Sequence, residues 1–158
     1  MEKSAIIDMG VIHEQAAISN LQAKVGALEQ IDIPVTHTFS GGIYIREIII
    51  PKGVVIVGKR HRHETCNILM KGELLLYATN SNSPPEHIKG PLLFTSPAFA
   101  KKAALCIEEA VFMNIHPTKE IDLDKIEAEF IIPEHEYFQL ISNNGGDKAC
   151  LGQQSQQQ

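Results

Sequence analysis

His61-Arg62-His63 is the segment of this chain whose residue types and spacing could do chemistry. In an extended backbone, residues two apart project to the same face, so both imidazoles can enter one pocket. Neutral imidazole suits zinc, copper, iron and nickel, and such a pair is half of a metal site that one or two further ligands would complete. Histidines so spaced also occur as exposed or structural residues, because histidine serves many roles. The elements around them decide between the two readings.

Those elements are mostly short strands. Gly41-Gly42 introduces Ile43–Ile50, rich in β-branched residues, which Pro51-Lys52-Gly53 closes. Further strand-like runs occupy residues 54–57, 65–70, 73–78, 91–95, 102–107 and 111–116, separated by Lys71-Gly72, the polar loop 80–85 and Ser96-Pro97. Short strands at this spacing indicate an all-β sandwich or barrel. Upstream, Ile12, Ala16, Ile18, Leu21, Val25 and Leu28 recur at helical spacing, so an amphipathic helix is expected over 11–30, ended by Ile31-Asp32-Ile33-Pro34. Residues 37–42 read as a loop into the first barrel strand. Downstream of Pro117, acidic residues alternate with Ile121, Leu123, Ile126 and Phe130, which predicts a short helix over 123–129. Paired glycines and terminal glutamines predict a disordered tail over 142–158. The expected organisation is a helical extension (1–34), a barrel (35–118), a helical or extended segment (119–141) and the tail.

A chain of 158 residues, 44% apolar and 21% charged, has the size and composition of one globular domain. The longest strongly apolar runs, 48–50 and 54–57, are far shorter than the roughly 20 residues a membrane-spanning helix needs. Met1-Glu2-Lys3-Ser4 carries no secretory pattern, so a cytoplasmic location is expected. A net charge of −5 argues against a general nucleic-acid coat. Yet Lys52, Lys59, Arg60, Arg62 and Lys71 cluster, whereas the stretch from Glu120 to Glu136 is acidic, so a local anion site is compatible with the composition. Cys66, Cys106 and Cys150 show neither disulfide nor zinc-type spacing.

From Gly53 to Gly72, then Pro97 and a last strand ending in His116, the layout resembles the two motifs of the cupin superfamily, a small jelly-roll β-barrel. The first motif there runs glycine, His-x-His, glutamate, glycine, and the second runs glycine, Pro-x-Gly, histidine, asparagine. The resemblance covers about residues 43–116 and implies a cupin-like barrel. Counting from Gly53 to Gly72 keeps the family spacing but places Lys59, His61 and Thr65 in the ligand positions. Aligning the His-x-His keeps His61 and His63 and puts Asn67 where glutamate would stand. In the second motif Phe99 takes the glycine position, Lys102 the histidine position and Cys106 the asparagine position. His116 is a candidate replacement, since Phe112, Asn114 and His116 share one strand face. Gly58-Lys59-Arg60-His61-Arg62-His63-Glu64 also is similar to small cupin-like proteins encoded by bacteriophages, which implies action in a host cytoplasm.

Three functions are therefore expected. The first is a small-molecule cupin binding a divalent metal (iron, zinc, manganese or nickel) through His61, His63 and His116. As an enzyme it would be a dioxygenase, isomerase or lyase, among which fold cannot choose. The second is a non-catalytic module that captures a small carboxylate, phosphate or nucleotide with Lys59, His61, His63, Lys102 and Asn114. The third is a structural or assembly protein, and a homodimer or larger oligomer is expected in each case.

Overall fold

The computed structural model describes residues 16–79 and 84–151. His13, the first residues of the expected N-terminal helix, most of the 80–85 loop and the last residues of the expected tail lie outside this range. Within it, helix α1 (residues 16–26) precedes strands β1 (Val35–Ser40), β2 (Ile43–Ile50), β3 (Val55–Val57), β4 (Thr65–Ala78), β5 (Glu86–Lys89), β6 (Leu92–Ser96) and β7 (Lys102–Pro117). Helices α2 (Leu123–Phe130) and α3 (Glu134–Leu151) follow. None of the described helices is long and apolar enough to cross a membrane.

β4 and β7 are the spine of a seven-stranded antiparallel sheet ordered β1-β2-β7-β4-β5. The first half of β7 pairs with β3 and its second half with β2; likewise β4 pairs first with β6 and then with β5. Each long strand thus serves two sets of partners, and the sheet doubles over where the β4–β7 register shifts between Leu69 and Leu74. This is the expected all-β jelly roll with flanking helices. Gly72 permits the fold-over, with φ +93°: a Cβ there would lie 2.3 Å from the Glu109 carbonyl oxygen and 2.6 Å from Ala110 Cα. Lys71-Gly72, read from sequence as a break between strands, is therefore an irregularity inside one continuous strand, as bulges in long bent strands are.

The core fills the space between the two layers. Ile48 and Ile50 of β2, Leu69 and Leu74 of β4, and Ala110 and Phe112 of β7 belong to one buried cluster. They alternate with exposed or half-buried residues, the period-two pattern of a sheet buried on one face.

Two further elements differ from expectation. Residues 37–42 are not a loop: β1 runs to Ser40 and pairs with β2 through Gly41-Gly42, whose φ values of +57° and +83° supply a two-residue hairpin turn. The strand is exposed throughout, so it lacks the apolar alternation that signals strands. Beyond Ser142, where an unstructured tail was expected, the backbone continues as α3 to Leu151, since a helix once nucleated extends one hydrogen bond at a time. α3 is moored at its start: Arg60 lies 4.0 Å below the Tyr137 ring, and Arg62 bonds both Glu136 carboxylate oxygens at 2.7 and 3.0 Å.

Candidate functional site

Three backbone segments hold the site. The 60–62 segment is pinned on one side by 99–100, through His61 N–H to the Ala100 carbonyl (3.3 Å) and Phe99 N–H to the His61 carbonyl (2.8 Å). On the other side it meets the end of α2, with Arg62 N–H donating to the Phe130 carbonyl (2.8 Å) and Ile132 N–H to the Arg60 carbonyl (3.0 Å). Phe99 adopts φ +63°, the left-handed conformation that glycine takes most easily, and it stands where the family motif has glycine.

This clamping decides what the two histidines do. His61 makes only an isolated bridge to Ile131, and the chain bends at 62–63, so strand alternation does not apply. His61 is buried and lines a cavity, whereas His63 is exposed and sets its ring edge against Phe130 at 6.2 Å. The expectation that both imidazoles enter one pocket is corrected here.

His116 is buried at the far end of β7, its ring 5.4 Å from that of His61 and nearly parallel at 16°. Phe130 (4.5 Å) and Tyr44 (5.9 Å) pack against it. The Thr65 hydroxyl lies 3.1 Å from His61 Nδ1 and 3.2 Å from the His63 carbonyl. Burial, then the charge of Lys102, then His116 and Arg46, push the His61 pKa down to about 3. Burial, Lys102 and Arg46 bring His116 down to about 4. Both rings are uncharged at neutral pH.

The cavity, about 270 Å³, lies between the two layers of the sheet. Its floor is apolar, formed by Ile50, Ile56, Leu74 and Phe112 among others. Its polar wall carries Arg46, His61, Lys102 and Asn114, with Lys59 at its edge, and no aspartate or glutamate is among its described lining residues. Asn114 on β7 sits directly opposite Arg46 on β2 and donates to Asn67 Oδ1 at 2.8 Å. Asn67 in turn donates to Ser96 Oγ and to the Thr65 carbonyl, both at 2.9 Å. Lys102 Nζ reaches Ser96 Oγ at 3.4 Å, and burial lowers its pKa to about 8. Lys59, expected inside, lies at the rim and is mostly exposed, paired with Glu127 of α2, because β3 has ended two residues earlier. Arg46 was not foreseen. Its signal was present, since Tyr44, Arg46, Ile48 and Ile50 occupy one face of β2 and place a cation in an otherwise apolar row.

A resident iron, zinc, manganese or nickel ion needs three or four convergent nitrogen, sulfur or carboxylate donors. Among the described residues, no group of three or more His, Cys, Asp and Glu is placed to hold one. His61 and His116 offer two imidazoles, His63 is elsewhere, and two basic side chains adjoin the pair. The side chains do not fit the three-histidine centre expected from sequence.

No family model matches the chain, and no curated protein matches it. Solved structures similar to it include an RmlC-like cupin family protein with a double-stranded β-helix fold from Methanocaldococcus jannaschii, at 17% identity over 58% of this chain and 92% of that one, with a TM-score of 0.46. KdgF from Halomonas sp. is 12% identical over 62% of this chain and 90% of its own, with a TM-score of 0.47. A cobalt(II) form of HppE in complex with Tris buffer is 8% identical over 57% and 56%, with a TM-score of 0.44.

Proposed function

We propose that this protein binds a small carboxylate with a short apolar body in the cavity between its sheet layers. The observation that carries this reading is the composition of the cavity: Arg46 and Lys102 beside Asn114, with Lys59 at the rim, above an apolar floor, and no acid among the described lining residues. The Arg46 side chain makes no hydrogen bond or ion pair among the described residues, which leaves its planar fork for two parallel bonds to a carboxylate. The neutral imidazole of His61 lines the site without adding charge. An apolar floor disfavours a nucleotide or sugar phosphate, whose hydroxyls would lose water without finding partners.

The test is titration of the full chain, purified without an affinity tag, with butyrate and with butyramide, followed by ligand-observed NMR. Butyrate is expected to bind and butyramide not, and Arg46→Met is expected to weaken butyrate about 10–100-fold, the worth of one charge-assisted pair. Equal binding of acid and amide would overturn the reading. About one equivalent of iron, zinc, manganese or nickel per chain, lost in His61→Ala, would replace it with the metal-dependent alternative. The oligomer is part of the same proposal: β1 is an edge strand exposed along its length, a template for pairing with a second copy. Sedimentation as a monomer at micromolar concentration would remove that part.

A further inference from the structure

Lys102 combines burial in the cavity with the lack of a counter-ion among the described residues. Lys52, Lys59, Lys71, Lys89, Lys101 and Lys125 each face a carboxylate within ion-pair distance, and Lys101, the other buried lysine, is paired with Glu134. Lys102 faces none among the described residues; its hydrogen-bond partner is the Ser96 hydroxyl at 3.4 Å, a long contact. It lines the cavity together with Ala103 and Ala104, small residues that leave space beside it, and Arg46 faces the same cavity. A lysine desolvated in an apolar site without a counter-ion is poised as a nucleophilic amine.

We propose that Lys102 is a carbonyl-reactive amine, and that its Nζ condenses with the ketone of a short oxo acid whose carboxylate is held by Arg46. The carboxylate half of this inference rests on the binding reading above; the reactive amine does not. In the condensation, the Nζ lone pair adds to the carbonyl carbon while the carbonyl π pair moves to oxygen, and a proton passes from nitrogen to that oxygen, giving a carbinolamine. Loss of the hydroxyl with the remaining nitrogen proton forms the C=N bond and releases one water. Amine plus ketone thus gives imine plus water, with no oxidant or reductant consumed. Burial supplies the free amine this requires, since a pKa of about 8 leaves about half of Lys102 uncharged at pH 8.

The experiment traps the imine. The full chain is incubated at pH 8 with 2-oxobutyrate or 4-oxopentanoate, which place the ketone at different distances from the carboxylate, together with cyanoborohydride, and adducts are mapped by tandem mass spectrometry. The expected result is one adduct per chain on Lys102, formed at least tenfold faster than on Lys24 or Lys119, and absent in Lys102→Arg. Modification spread evenly over the lysines, or none on Lys102, overturns the inference. Butyrate binding without an adduct ends the imine proposal and leaves the binding reading standing. An adduct on Lys102 without butyrate binding does the reverse, and failure of both measurements removes both.

Discussion

The imidazoles of His61 and His116 lie 5.4 Å apart at an interplanar angle of 16°, buried where the nearest charges are cationic. Protonating either ring inside the fold places a charge out of water beside Lys102 and Arg46, which is why the pKa values fall to about 3 and about 4 from 6.5. In the unfolded chain both rings take up protons near pH 6.5, so below that pH the unfolded state binds more protons than the native one. Stability then falls as pH falls, from about 6.5 down to the native values. About 2–4 kcal/mol is expected to be lost between pH 7 and pH 5. Urea denaturation at the two pH values measures it, and His116→Phe is expected to remove about half of the difference. An imidazole resonance of His61 titrating near pH 6.5 in the native protein would contradict the burial argument.

Gly72 carries the bend that brings the two layers over the cavity. A methyl group there would meet backbone atoms at 2.3 and 2.6 Å, and its backbone is in a conformation that side chains disfavour. Neither cost can relax through a flexible side chain. Gly72→Ala is expected to destabilise the protein by about 3 kcal/mol or more. Gly53 also has positive φ, at +81°, but open space around it, so Gly53→Ala is the control and is expected to cost only about 1 kcal/mol. Similar denaturation midpoints for the two variants would show that the β4 bend tolerates a side chain.

Asn67 is fully buried and links three elements, accepting from Asn114 and donating to Ser96 and the Thr65 carbonyl. Asn67→Leu leaves the Asn114 amide without its acceptor away from water and takes from Ser96 one of its two partners, and about 2–3 kcal/mol is expected to be lost. Replacing both asparagines by leucine removes the donor and the acceptor of their mutual bond together, so the double variant is expected to be less destabilised than the sum of the singles by about 1 kcal/mol or more. Strict additivity in a double-mutant cycle would mean that the hydrogen bond contributes nothing to the fold.

How far the site could be read from sequence depended on whether strand periodicity applied. On β7 it does: Phe112, Asn114 and His116 share the inner face, and all three are buried. At 61–63 it does not, because the chain there is clamped between the 99–100 segment and α2 and bends, turning His63 outward. That clamp is made by residues nearly forty and seventy positions away, which no local pattern contains. Arg46 was legible in principle, as a cation at an inward position of an apolar strand, but inward and outward are fixed only once β2 is paired with β7. β1 was hidden for a different reason: an exposed edge strand needs no apolar alternation, and only its Gly-Gly turn announces it.

Arg60 and Lys101 share one carboxylate, that of Glu134 at the start of α3. The Arg60 side chain is 0% exposed and that of Lys101 4%, while Glu134 bonds Arg60 Nε at 3.3 Å and Lys101 Nζ at 3.1 Å. Burial alone would raise the Glu134 carboxyl, but hydrogen bonds from Arg60 and Lys101, and their charges, bring it below its ordinary value of 4.5. Its contribution is therefore present above pH 4.5 and is lost as pH falls through the lower native value. Glu134→Gln takes a carboxylate from two buried cations, which keep their bonds to Thr79, the Phe99 carbonyl and Gln22, and about 2–3 kcal/mol is expected to be lost at pH 7, less than for a fully buried pair because the carboxylate is partly solvated. The same variant is expected to lose less stability than wild type on acidification below pH 4.5, while keeping the whole fall between pH 7 and pH 5 that belongs to His61 and His116. Parallel pH profiles for variant and wild type below 4.5 would mean that another carboxylate, and not Glu134, balances Arg60 and Lys101.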